Sequence, residues 1–332
     1  MSLALISKKR VLLFTIIYVV LFANLHANYD QQKSTTNIAL SVDALAWLAS
    51  EEVSAIYADV ITTGNNSSSW EALSFDFKWD YGFRLGVGTC FCNSLESNFY
   101  WTRFCTDASH RISQNPNADI TPEFFAAFLS GDRPQSMKVS WEIDFNMFDL
   151  EFGKRFCISS CLSLRPFIGV KGGWIDQTIK GTYYDLTISN MSTNEMGTED
   201  LQNDFWAIGT MGGICTNWTL KNWRCHSFEL FGDFSTATLW GTWKNTDNYI
   251  NTASQTSSVN MKDSNLGALM FRGFMGFEWK TNYISRCTSF SAKIGYEMQI
   301  WFNQLRLATF QLQRLHGDLT FQGVTLNCQL DF

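Results

Sequence analysis

From Leu73 to Phe91 the chain reads L-S-F-D-F-K-W-D-Y-G-F-R-L-G-V-G-T-C-F, apolar at nearly every odd position and Ser, Asp, Lys, Gly, Arg or Cys at most even ones. Successive β side chains point to opposite faces, so a period of two held this long predicts a strand with one apolar and one polar side. A helix would scatter Asp76, Asp80 and Arg84 among the aromatics. One such strand suits a soluble sandwich as well as a membrane barrel. Repetition separates the two: the alternation returns along the whole chain, behind a secretory leader and up to a terminal Phe332. The prediction is an all-β protein, a single antiparallel transmembrane β-barrel.

About ten strands are expected. The first carries Leu40, Val42, Ala44, Ala46 and Leu48. The second is the stretch above, whose Leu73 to Asp80 part exceeds the roughly 9–11 residues that cross a bilayer and projects beyond it. A tight turn at 93–96 leads to the third, around 98–104. The fourth carries Val139, Trp141, Ile143 and Phe145, after which the apolar phase moves to Phe148, Leu150 and Phe152, as a β-bulge near Asn146 would produce. The fifth sets Leu162, Leu164, Pro166, Ile168, Val170 and Trp174 against Ser163, Arg165, Gly169 and Lys171. Strands six to ten run through Trp206, Phe228, Phe271, Ile294 and Val324 in the same manner.

Long polar loops are expected at 50–72, 106–137, 176–203, 244–262 and 304–316, with short turns between. Outer-membrane barrels alternate long extracellular loops with short periplasmic turns in this way. Twelve strands is the alternative count, with a further hairpin inside 179–188 or the long second stretch. Trp174, Trp206, Trp240 and Trp301 fall near one edge and Trp218 and Trp279 near the other, as aromatic girdles require.

Residues 1–27 read as a signal peptide, with Lys8, Lys9 and Arg10 before apolar Val11 to Phe22 and a small residue at Ala27. Residues 28–37 read as a periplasmic N-terminal tail and 38–332 as the barrel. No later run approaches the ~18 apolar residues of a membrane helix. The net charge of −6 carries no basic patch, so nucleic acid is excluded as a partner. The expected location is the bacterial outer membrane, reached by export.

At F-D-F-K-W-D-Y-G-F-R-L-G-V-G (Phe75 to Gly88) the sequence resembles the Legionella-type major outer membrane protein family of pore-forming proteins. Further blocks agree in order: D-A-L-A-W-L-A-S at Asp43, W-T-R-F at Trp101, L-R-P-F-I-G-V at Leu164, W-I-D-Q at Trp174, N-D-F-W at Asn203, W-F-N-Q at Trp301 and G-D-L-T-F-Q-G-V-T-L at Gly317. The resemblance spans the mature chain. It implies an outer-membrane barrel acting as a porin-like channel for passive diffusion of small solutes or ions, with no catalytic residue and no cofactor to carry over. The nine cysteines depart from that family and suggest the cross-linked envelopes of chlamydia-like bacteria.

Strand phase directs Arg84, Arg165, Lys171, Glu229, Asp233, Arg272, Glu278, Lys293, Glu297 and Gln299 inward. They are candidates to line a channel and select solutes, or to pair as the polar filling of a narrow barrel. Cys90, Cys92, Cys157, Cys161, Cys215, Cys225 and Cys287 lie near the short turns and are disulfide candidates, and Cys105 and Cys328 lie elsewhere. In an oxidising compartment they can cross-link the rim to envelope proteins or a homo-oligomer, or staple hairpins locally through Cys157 with Cys161 and Cys215 with Cys225.

His110, His226 and His316 are far apart with no zinc spacing, so no metal site is expected. Gly86 and Gly88 read as strand glycines that permit curvature, not as a phosphate loop. The ending through Leu326, Leu330 and Phe332 resembles the signal read by the barrel assembly machinery, and outer-membrane lipid and lipopolysaccharide are the other expected partners. Two further readings belong to other classes. One is a non-conducting structural or adhesive barrel acting through its loops. The other, an enzyme, is disfavoured: its only candidates are Asp107 with His110 and His316 with Asp318.

Overall fold

Ten strands follow one another around a ring: β1 (Asn37–Glu51), β2 (Trp79–Cys90), β3 (Leu95–Ser113), β4 (Ser136–Lys154), β5 (Leu162–Tyr184), β6 (Gly197–Trp223), β7 (His226–Asn251), β8 (Thr256–Ser285), β9 (Thr288–Ala308) and β10 (Arg314–Asp331). The computed structural model describes residues 37–332 except 52–55, 64–67, 92–94, 114–117, 123–133, 189–190, 193–195, 224, 253, 255, 286–287 and 309–313. The expected signal peptide and N-terminal tail lie almost wholly outside the described residues.

Each strand pairs antiparallel with its sequence neighbour, and β1 closes the ring against β10 from Ala39 opposite Asp331 to Glu51 opposite Leu319. Ile38 N donates to Phe332 O at 3.2 Å and Phe332 N to Ile38 O at 2.8 Å, sealing the end of that seam. Over the lipid-facing belt closure leaves no strand edge, the condition for backbone to stand in lipid.

The outward face is apolar only over a belt. On β5 it runs from Leu164 through Pro166, Ile168 and Val170 to Trp174. Ten residue steps at ~3.3 Å, on strands tilted by ~40°, make a band about 25 Å tall, the height of a barrel's lipid-facing zone. Above Trp174 the same face carries Asp176, Thr178 and Lys180, and the inward face turns apolar at Ile175, Ile179 and Tyr183. β6 inverts at Trp206, with Leu201 and Phe205 inside and Asp200, Gln202 and Asp204 outside.

This inversion replaces the bulge expected at Asn146. β4 keeps continuous register with β3 and β5 through that residue. Val139, Trp141, Ile143 and Phe145 are buried inside, while Phe148, Leu150 and Phe152 face out. β4 does not slip; the medium outside it changes from water to lipid.

The same physics corrects the loops. Much of 176–203, 244–262 and 304–316 is barrel wall, as are 106–113 and 136–137, and β7 and β8 are joined across 252–255. These segments are polar because their outward faces stand in water, and their inward faces still alternate, as at Trp243 and Tyr249. The long second stretch is not one strand. Its start pairs in a small sheet of Ser68–Ser74, Ile56–Thr63 and Ala118–Pro122, residues 75–78 leave the ladder, and β2 begins at Trp79. Phe75 and Phe77 pack on Trp141 at 5.3 and 5.8 Å between ring centroids, inside the outer end. The ring has ten strands, with no second hairpin in its wall among the described residues.

Trp174, Trp206 and Trp240 ring one edge of the belt with Trp79 and Trp101, and Trp218 and Trp279 stand at the other. Trp301 is the exception. It points inward and is fully buried beside Phe145, because it lies one position past Ile300 on the other face of β9.

Candidate functional site

The closed wall makes its inward face the only shared environment, and that face is layered. All ten residues assigned inward by strand phase lie there. In the half nearest the short turns, Glu297 is fully buried and is met by Arg84 Nη2 at 2.7 Å, Arg272 Nε at 2.6 Å, Thr325 Oγ1 at 2.9 Å and Gln299 Nε2 at 3.0 Å. Arg84 also donates to Asp43 Oδ2 at 2.9 Å and, through Nε, to Thr102 Oγ1 at 2.9 Å. One carboxylate thereby ties β2, β8, β9 and β10 together across the ring.

Other luminal charges pair as well. Lys171 Nζ lies 2.6 Å from Asp149, and Arg165 bridges Glu151 at 3.0 Å and Glu96 at 2.7 Å. Lys280 holds Glu229 at 2.7 Å and Glu278 at 3.1 Å. Asp233 and Lys293 line a cavity of about 400 Å³ together with Arg155, Cys215, Ser235 and Asp331, reaching the short-turn rim. Lys293 sits 5.2 Å over the Phe231 ring. Gly86 and Gly88 do more than permit curvature: a Cβ at Gly86 would lie 2.7 Å from the Tyr100 ring, so the glycine makes room for that side chain in the lumen.

Above this layer the lumen is apolar. Trp47, Phe104, Phe145, Phe321 and Trp301 form a continuous aromatic contact, with centroid separations of 5.5 Å for Trp47 and Phe104, 5.4 Å for Phe104 and Phe321, 4.9 Å for Phe145 and Phe321 and 5.6 Å for Phe145 and Trp301. Across the ring Ile175, Ala207, Leu239 and Met270 complete the packing. A polar rung follows, in which Gln177 accepts from Trp141 Nε1 at 2.9 Å and donates to Gln304 at 2.7 Å and to Glu51 at 3.3 Å. Burial beyond the belt pushes the Glu51 carboxyl up to about 8, with Asp318 adding to the shift and the Gln177 bond opposing it. The position of this aromatic layer is what strand phase alone missed. Its signal was the phase change after Phe145.

Among the described residues the four cysteines of the two local staples do not pair. Cys157, Cys161, Cys215 and Cys225 carry free thiols, as do Cys105 and Cys328. Cys215 faces the lumen, where Arg165 Nη1 approaches its sulfur at 3.7 Å. It stands eight positions before the β6–β7 turn, about 26 Å along the strand, too far to bridge Cys225. Cys90 lines the luminal cavity, and Cys92 and Cys287 lie outside the described residues. Asp107 and His110 take opposite faces of β3, and Asp76 N donates to His110 Nε2 at 3.4 Å. Asp318 accepts from Asn303 N at 2.7 Å.

Glu297→Ala leaves two buried guanidinium groups without their carboxylate and should cost about 3–5 kcal/mol in urea unfolding of the detergent-embedded barrel, with Glu297→Gln between it and wild type. A loss under ~1 kcal/mol would contradict the hub. Glu51, with a folded-state value near 8 against 4.5 unfolded, binds its proton more tightly when folded. Its contribution is complete below pH 4.5 and is lost as pH rises towards 8. Glu51→Gln should therefore match wild type near pH 4 and be the more stable of the two at about pH 8.5; equal pH dependence in both would refute this.

Solved barrels similar to the chain include the outer membrane protease OmpT of Escherichia coli (9% identity, 91% of this chain and 99% of that one, TM-score 0.40). Others are a major outer membrane protein of Thermus thermophilus (10%, 90% and 100%, TM-score 0.29) and a Pseudomonas aeruginosa FadL homologue (9%, 90% and 90%, TM-score 0.27). At these scores the fold assignment rests on the strand pairing itself. No curated protein matches the chain. The family model described as the Legionella pneumophila major outer membrane protein precursor matches residues 32–332, and the chain belongs to that outer-membrane family.

Proposed function

We propose that the protein is a structural outer-membrane barrel whose lumen is closed to solutes. The observation that carries this reading is the aromatic layer of Trp47, Phe104, Phe145, Trp301 and Phe321, each at most 1% exposed, drawn from five strands of the ring. Luminal charges beneath it are largely spent on one another, which suits a packed polar core better than a water-filled conduit. Above the belt the wall rises on β5 to β8 as a polar-coated column, available to the cell's surroundings.

A porin-like channel, which the family resemblance implies, is the second reading. The charged cavity of about 400 Å³ at the short-turn end favours it, and passage would require the aromatic layer to part. Lipid and lipopolysaccharide are the partners suited to the belt. Leu326, Leu330 and Phe332, with exposed side chains at the closing strand, suit recognition by the assembly machinery. Exposed Cys157 and Cys161, flanking the turn between β4 and β5, suit links to envelope proteins or a second copy.

Planar-bilayer recording decides between the two. Inserted wild-type barrels should give no unitary steps, with or without reductant, and the Phe145→Ala/Phe321→Ala variant, which removes two rings from the layer, should open measurable leak. Stable steps from wild type would restore the channel.

A further inference from the structure

The external end of the lumen gathers oxygen atoms that closing the barrel does not require. On the inward faces of β6 and β7, Glu199 stands opposite Tyr249, Leu201 opposite Asp247 and Asn203 opposite Asn245. All four polar side chains of this set, Glu199, Asp247, Asn203 and Asn245, are at most 3% exposed. Glu199 Oε2 accepts from the Tyr183 hydroxyl at 2.5 Å. The other Glu199 oxygen, both Asp247 oxygens, the amide oxygens of Asn203 and Asn245 and the Asn203 amide nitrogen have no hydrogen-bond partner among the described residues. The Asn245 amide nitrogen is committed to Arg306 O at 3.3 Å, which fixes the opposite orientation of its oxygen.

Five buried acceptor atoms in consecutive layers, two of the groups being carboxylates, ask for positive charge. Leaving such groups buried and unpaired is expensive. The cations nearby are used elsewhere or differently placed. Arg306 stacks 4.0 Å from the Trp243 centroid and donates to Asn303 O, and Lys180 forms no ion pair among the described residues although it lines the same outer cavity. That cavity, about 610 Å³, has Glu199, Asp200, Lys180 and Tyr249 in its wall and lies between the outer ends of β5 to β8. It offers a route from the external medium to the Glu199 carboxylate.

Carboxylate and amide oxygens without nitrogen or sulfur donors are the ligand set of a hard cation, which takes roughly 6–8 oxygens. We propose that Glu199 and Asp247, on adjacent rungs of β6 and β7, form a site for a divalent cation of the calcium class at the external end of the barrel, with Asn203 and Asn245 on the next rung inward. The site binds across β6 and β7, above the lipid belt, and joins two adjacent long walls. This assignment does not depend on whether the lumen conducts.

The test uses the full protein extracted from membranes, freed of divalent ions with chelator, and followed by thermal unfolding at about pH 7.5. Calcium chloride should raise Tm by about 5 °C over sodium chloride of equal ionic strength, the size expected when a ligand is well above its Kd. Glu199→Gln/Asp247→Asn should unfold at or above the wild-type Tm in chelator, because the unpaired charges are gone, and should lose the calcium shift. Lipopolysaccharide carried with the protein binds calcium equally in both, so a shift that persists in the variant overturns the site. So does an unchanged wild-type Tm, or a wild type stabilised by lowering the pH to about 5.5 but indifferent to calcium, which would mean the carboxyls share a proton. Should the double variant fail to fold, terbium luminescence of the wild type decides: emission sensitised by Tyr183 and Tyr249 and displaced by calcium supports the site, and its absence overturns it.

Discussion

Backbone amides cannot stand unpaired in lipid, and the closing of β1 on β10 is how this chain meets that constraint. Once the ring is closed, side chains have two places to go, and residue parity decides between them without a register shift between β4 and β5 and between β5 and β6. The two faces then answer to their media separately. Where lipid lies outside, the outer face is apolar and the inner one is free to be polar. Where water lies outside, the apolar residues move to the inner face, and the column above the belt becomes an ordinary hydrophobic core wrapped in a sheet.

The interior follows from that division. Within the belt the apolar residues are committed to lipid, so the inner face is filled with charge and must neutralise itself. Glu297 with Arg84 and Arg272, Asp149 with Lys171 and Glu151 with Arg165 do so at 2.6 to 3.0 Å. Removing one partner of such a pair costs more than the pair contributes, because an uncompensated buried charge remains. Toward the upper edge of the belt the aromatic layer takes over, and Trp301 joins it rather than the girdle. Polarity then returns at the outermost end, where Glu199 and Asp247 are buried away from any ion-pair partner among the described residues.

Much of this was legible in the residues. The alternation in Phe290 to Ile300 and in Leu164 to Trp174 predicts both the strands and the faces, and the side-chain placement agrees with it. Family blocks such as L-R-P-F-I-G-V anticipate the outer-membrane assignment. What parity could not supply was the level at which the outer medium changes, because lipid and protein core both ask for apolar residues. The phase change between Phe145 and Phe148 was therefore legible as an irregularity and not as a boundary. For the same reason the polar stretches at 176–203 and 244–262 resembled loops, although Leu201 and the neighbouring Trp243 mark them as wall. Contacts between distant strands, such as Arg84 with Glu297, depend on barrel size and stagger, which no local pattern encodes.

A spin-label depth scan along β5 from 166 to 183, with labels carried on a ketone-bearing amino acid so that the native thiols stay untouched, tests the layered barrel most directly. A layered wall gives oxygen accessibility at alternate outward positions up to Trp174, accessibility to an aqueous nickel reagent at outward positions from Asp176 upward, and neither at inward 175, 179 and 183. Outward positions that stay lipid-accessible to Lys180, or inward ones open to the aqueous reagent, would contradict it.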